Sequence, residues 1–118
     1  MPTRHRPDRL IVSTETRDKA VVVTLAGELD AGTMSELERA LTAVDDGYDT
    51  IVFDLRELRF VDSPGLNLLF RERARADERN VRLRMVRAPV HVQRLLTLAA
   101  LDGTLGPFYP DPDTALRA

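Results

Sequence analysis

The sequence predicts an α/β fold: a small mixed β-sheet with helices packed mainly on one face. Three observations carry this reading. Short apolar strand patterns alternate with amphipathic helical patterns along most of the 118 residues, which implies parallel strands joined by crossovers of fixed hand. The first two strand patterns are separated only by a turn, which implies an antiparallel hairpin. The strands are also two-sided. Val21, Val23 and Leu25 share one face, as do Ile51, Phe53 and Leu55, and Val81, Leu83 and Met85. The opposite faces carry Val22 with Thr24, Val52 with Asp54, and Arg82 with Arg84. A doubly wound sheet buries both faces, so one dry and one partly wet face places the helices mainly on one side.

The elements follow in order. Residues 1–9 are rich in Pro and Arg with no apolar period and read as a flexible tail. Residues 10–14 form a short strand, 16–19 turn the chain, and 20–26 (AVVVTLA) form the second strand. A helix over 34–44 follows from Met34, Leu37, Leu41 and Val44 at helical spacing, with Thr33 and Glu36 in a capping-box pattern. Asp45, Asp46 and Gly47 end it. Residues 50–55 are the third strand, and a second helix spans 64–79 with Leu66, Leu69 and Phe70 inward. Residues 81–86 are the fourth strand. A third helix over 90–101 turns Val92, Leu95, Leu96 and Ala99 inward and is punctuated by Gly103. A short last strand within 105–109 and a clipped helix over 111–118 complete a single domain, 10–118.

Composition narrows the function. The chain has no cysteine and only two histidines, so disulfide and thiol chemistry are excluded. His5 lies in the polar tail and His91 on the third helix, so no metal site is expected. The formal net charge of −2 gives no bulk attraction to nucleic acid or anionic membrane. No apolar run approaches the roughly 18 residues of a membrane span, and no signal-peptide pattern precedes the domain. The expectation is a cytoplasmic protein without direct nucleic-acid or membrane contact.

Residues 51–69, IVFDLRELRFVDSPGLNLL, are the most informative stretch. A strand runs into a short junction, Asp62–Ser63–Pro64–Gly65, that opens a helix. Ser63 is a good N-cap type and Pro64 suits the first helical position. A helix start offers free N–H groups and positive dipole character beside the Ser63 hydroxyl, a favourable place for phosphate. A plain cap explains the same residues. Asp30, in the Gly27–Glu28–Leu29–Asp30 segment after the second strand, emerges at the same sheet edge as Asp62 and Ser63 if those strands are parallel. Here too a plain helix cap explains the same residue. Spacing along the second helix adds Asn67 and Arg71 to the surface around Asp30, Asp62, Pro64 and Gly65. A serine hydrolase is disfavoured, because Val61 stands where a nucleophile elbow needs glycine. Asp54 is disfavoured as a phospho-acceptor because it lies inside a strand.

Three segments together resemble the STAS domain, in its anti-sigma factor antagonist group: GELDAGT from Gly27, the stretch from Ile51, and APVHVQRLLTLAALDGTL from Ala88. The resemblance spans nearly the whole globular part. Two departures are Pro64, where many members have Ser or Thr, and Ala100, where Gly is common. The resemblance implies a STAS-like sheet, with Ser63 as the phosphorylation site and Asp30 and Asp62 as the family's aspartates. It also implies a protein-binding switch and not an enzyme. The unphosphorylated form would bind an anti-sigma factor with an ATP-binding serine-kinase fold and free a sigma factor. That partner would phosphorylate Ser63, and a serine phosphatase would reset it. ATP would belong to the partner, leaving this chain without a cofactor. The rival readings are a STAS module in a lipid-transport or stress-sensing complex, and a small serine-dependent hydrolase.

Overall fold

The computed structural model describes residues 9–44, 46–100 and 105–118. Strands β1 (Leu10–Arg17) and β2 (Ala20–Leu29) form an antiparallel hairpin, pairing Arg17 with Ala20 across Asp18 and Lys19. Asp18 takes φ 54°, the left-handed conformation that two-residue hairpin turns favour and that Asp tolerates. The chain continues through α1 (Met34–Ala43), β3 (Thr50–Val61), α2 (Ser63–Glu78), β4 (Arg82–Val86), α3 (Val90–Ala99), β5 (Phe108–Tyr109) and α4 (Pro112–Arg117). The sheet order is β1-β2-β3-β4-β5. From β2 onward every pair is parallel. Each parallel strand is laid on the same side of the one before it. Crossovers of one hand therefore put α1, α2 and α3 on a single face.

The main core confirms this. Val23, Leu25, Phe53 and Met85 pack with Leu37 of α1, Leu68 and Leu69 of α2, and Val92 and Leu96 of α3. The opposite face is partly covered by α4. There Val22, Val52 and Val86 bury Ala115, with Tyr109 and Leu116 at the margin. Asp111 caps α4 by accepting from the Thr114 N–H at 2.7 Å. These bonds to Thr114 hold the Asp111 carboxyl below its ordinary value.

Several expectations need correction. β3 runs to Val61, six residues past the predicted end. Its pairing with β2 steps from Thr24–Asp54 to Ala26–Glu57, and from Gly27–Leu58 to Glu28–Phe60. Each step leaves one extra residue on β3, a bulge that resets which way side chains point. Leu55, Leu58 and Val61 therefore all enter the core at three-residue spacing, a period that does not read as a strand. On α2, Leu68 is buried beside Leu69, while Leu66 and Phe70 are only half-buried. On α3, Leu95 is 51% exposed and Ala99 is exposed. The contact is a narrow stripe at four-residue spacing, Val92, Leu96 and Ala100, and each expected neighbour lies about 100° round the helix from it. On α1 only Leu37 is fully buried, with Met34, Leu41 and Val44 at the core margin. Asp45, Leu101 and Gly103 lie outside the described residues, as do residues 1–8 of the expected tail.

Candidate functional site

The β3-to-α2 junction is one residue long. β3 ends at Val61, Asp62 is extended with φ −107° and ψ −177°, and α2 begins at Ser63. The N-cap is therefore Asp62 and not Ser63: its Oδ1 accepts from the Gly65 N–H at 2.9 Å. Pro64 falls at the second helical position, where its missing N–H is equally harmless. Sequence alone could not choose between two adjacent residues that both cap well. The choice has a consequence. Gly65 N–H is taken and Pro64 has none, so among the described residues the first turn keeps only the Ser63 N–H without a partner. The Ser63 side chain is exposed, and its hydroxyl has no hydrogen bond among the described residues.

Asp62 also joins two elements. Its Oδ2 accepts from the Ala31 N–H at 3.2 Å, and its own N–H donates to the Leu29 carbonyl at 3.3 Å. The first turn of α2 lies against the end of β2 so closely that a Cβ on Gly65 would stand 2.3 Å from the Leu29 carbonyl oxygen. Glycine is required there by close approach. Asp30, in the β2–α1 loop, accepts from the Gly32 N–H at 2.9 Å. Thr33, buried, donates its hydroxyl to the Glu28 carbonyl at 2.7 Å and accepts from the Asp30 N–H at 3.0 Å. Its side chain is thus spent on the loop, and the expected capping box with Glu36 does not form.

The structure thus brings Asp30, Asp62, Ser63, Pro64 and Gly65 to one sheet edge, as the parallel pairing of β2 and β3 requires. Asn67 and Arg71 continue from Ser63 at four-residue spacing, and both are exposed. Arg71 lies 3.8 Å from Glu38 of α1. Asp54 stands inside β3, 4% exposed and held by Arg56 at 2.8 Å. Those bonds raise the Arg56 pKa above its ordinary value. His91 does not serve Ser63: its Nε2 faces the Arg59 carbonyl at 2.9 Å, an acceptor, so that nitrogen carries the proton. Among the described residues no cluster of three or more His, Cys, Asp or Glu could hold a metal, and no helix is long and apolar enough to cross a membrane.

The family model described as "Mlab, STAS domain" matches residues 12–107. The chain belongs to the STAS domain family. A solved structure of an anti-sigma factor antagonist from Mycobacterium paratuberculosis is 33% identical, with a TM-score of 0.77 over 95% of this chain and 95% of that one. An anti-sigma-B factor antagonist of Staphylococcus aureus (strain NCTC 8325 / PS 47) is 42% identical over 60 residues, 50% of this chain and 56% of the relative. The chain thus spans about half the length of the curated relatives it matches. SpoIIAA, an anti-sigma factor antagonist solved in its unphosphorylated form, is 22% identical with a TM-score of 0.72 over 90% of this chain and 93% of that one. At that identity the likeness is one of fold. The STAS fold accounts for the mixed five-stranded sheet with α1, α2 and α3 on one face.

Sequence reasoning about this STAS domain missed one contributor to the edge. Arg9, assigned to the tail, reaches Asp30: its Nη2 donates to both carboxylate oxygens, at 2.6 and 2.7 Å. The observed hairpin register accounts for its place. Leu10 pairs with Gly27 across the hairpin, and one further step sets Arg9 opposite Glu28.

Proposed function

We propose that this STAS domain is an anti-sigma factor antagonist. Its unphosphorylated form binds an anti-sigma factor through the edge formed by Asp30, Asp62, Pro64 and Gly65 and the α2 stripe of Ser63, Asn67 and Arg71. Binding frees a sigma factor. The partner, a serine kinase with an ATP-binding fold, phosphorylates Ser63 and ends the association, and a serine phosphatase restores it. The chain itself is a binding module and not an enzyme, and ATP is the partner's cofactor.

One observation carries this reading: Ser63 is exposed and its hydroxyl has no hydrogen bond among the described residues, while its neighbour Asp62 does the capping. A phosphate can be added to the Ser63 hydroxyl without breaking any hydrogen bond among the described residues. Placed on the first helical residue, it gains about 0.3–1 kcal/mol from the helix dipole at an exposed site. It brings about −1.5 to −2 charges to an edge that already carries Asp62. Mispairing a buried charge at an interface costs on the order of 2–5 kcal/mol. The binding effect exceeds the folding effect, so phosphate switches association and leaves structure intact.

The test is titration calorimetry of the purified cognate anti-sigma factor against the wild type and Ser63→Glu. The glutamate carries less charge and fewer acceptors than phosphate, so its affinity falls, by less than phosphorylation achieves. Undiminished binding by Ser63→Glu, or no binding by the wild type, contradicts the reading.

A further inference from the structure

We infer that Arg9 is a positioning residue for partner binding: it clamps Asp30 and so fixes the β2–α1 half of the docking edge against Asp62. This rests on the reading, proposed above, that this edge docks the partner.

The clamp begins with the backbone. Glu28 N–H donates to the Arg9 carbonyl at 2.8 Å, carrying the hairpin one residue beyond β1. Gly27 has φ +118°, and a Cβ there would stand 2.0 Å from that carbonyl oxygen. Only glycine permits both this conformation and this approach. Gly27 is therefore the seat that brings Arg9 over the loop. A second glycine makes room for the side chain: a Cβ on Gly32 would stand 3.1 Å from Arg9 Nη2. The guanidinium then bonds both oxygens of Asp30, and its Nε lies 3.6 Å from Glu28 Oε1.

The pair is not an ordinary surface ion pair. Asp30 is 17% exposed at its side chain and Arg9 31%, and the same carboxylate accepts from the Gly32 N–H. Holding Asp30 holds Ala31, and Ala31 N–H is the donor that meets Asp62. A path of direct contacts therefore runs from Gly27 through Arg9, Asp30 and Ala31 to Asp62, next to Ser63. Arg9 also compensates one of the two aspartates at the edge. Asp62, which has no such ion pair among the described residues, is left to oppose an incoming phosphate.

The first test uses the protein alone. In Arg9→Ala, backbone amide shifts should move at Ala31 and Gly32, and Gly27→Ala should reproduce them if it folds. The second test is affinity for the purified anti-sigma factor, with Tm measured on every variant. Arg9→Ala and Asp30→Ala should each weaken binding about tenfold, and the double variant should lose no more than Asp30→Ala alone, since the two residues act as one unit. A purely structural role would instead follow Tm and leave affinity per folded molecule unchanged. Unmoved Ala31 and Gly32 amides overturn the clamp. Moved amides with unchanged affinity for Arg9→Ala, while Asp62→Ala weakens binding, overturn the positioning role. If Asp62→Ala also binds normally, the docking reading itself has failed, and the positioning role falls with it.

Discussion

The Ala31 N–H donates to Asp62 Oδ2 across 3.2 Å, while the other oxygen of that carboxylate caps α2 through Gly65 N–H. One side chain thereby sets both the start of the helix that carries Ser63 and its distance from the loop that carries Asp30.

Asp62 and Ser63 should therefore respond differently to truncation. Asp62→Ala removes a cap and an inter-loop bond and should cost about 1–3 kcal/mol. Ser63→Ala removes no hydrogen bond among the described residues and should change stability by less than about 0.5 kcal/mol. Urea denaturation of both variants checks this. A larger loss for Ser63→Ala than for Asp62→Ala would return the cap to the serine.

Gly65→Ala should be more harmful than its exchange of one hydrogen for a methyl suggests. The added Cβ meets the Leu29 carbonyl oxygen, part of a strand that cannot yield easily. A loss of about 1–3 kcal/mol is expected, in the range of overpacked sites. A shift of the Asp62 amide in the same variant would locate the strain at the junction.

The core makes a paired prediction. Phe53→Ala, at a fully buried position on the central strand, should cost about 3–5 kcal/mol. Leu95→Ala, on the outer side of α3, should stay within about 0.5 kcal/mol. Their denaturation midpoints test the face assignment directly.

These two residues also show what was legible in the sequence. Alternation placed Phe53 inward because a strand's period is two, so its faces separate cleanly. Leu95 and Leu96 both fitted a helical stripe, and only the width of the contact on α3 distinguishes them. The hairpin, the parallel order and the shared edge of Asp30 and Asp62 followed from patterning. The second half of β3 did not, because bulges replaced alternation with a three-residue period. Arg9 was hidden by composition: its neighbours are Pro and Arg, and its role depends on the register of a hairpin whose reach the apolar pattern understated.

Acid should loosen α4 at its cap. Asp111 has a carboxyl pKa depressed below its ordinary 3.8, chiefly by accepting from the Thr114 backbone N–H. The unfolded chain therefore binds this proton more readily than the folded one. The contribution is present above the ordinary value and is lost as pH falls through the lower folded value. The Thr114 amide shift, followed from neutral pH downward, should report it, and Asp111→Asn should flatten the transition.

The phosphorylation switch is decided by comparing the affinity of the cognate anti-sigma factor for the unmodified protein and for protein phosphorylated at Ser63 alone, with thermal unfolding of both forms. The predicted result is a loss of at least about thirtyfold in affinity, the lower bound of a buried-charge penalty, with the cooperative unfolding transition retained. Equal affinity for the two forms, or phosphate incorporated elsewhere while Ser63 stays unmodified, would contradict it.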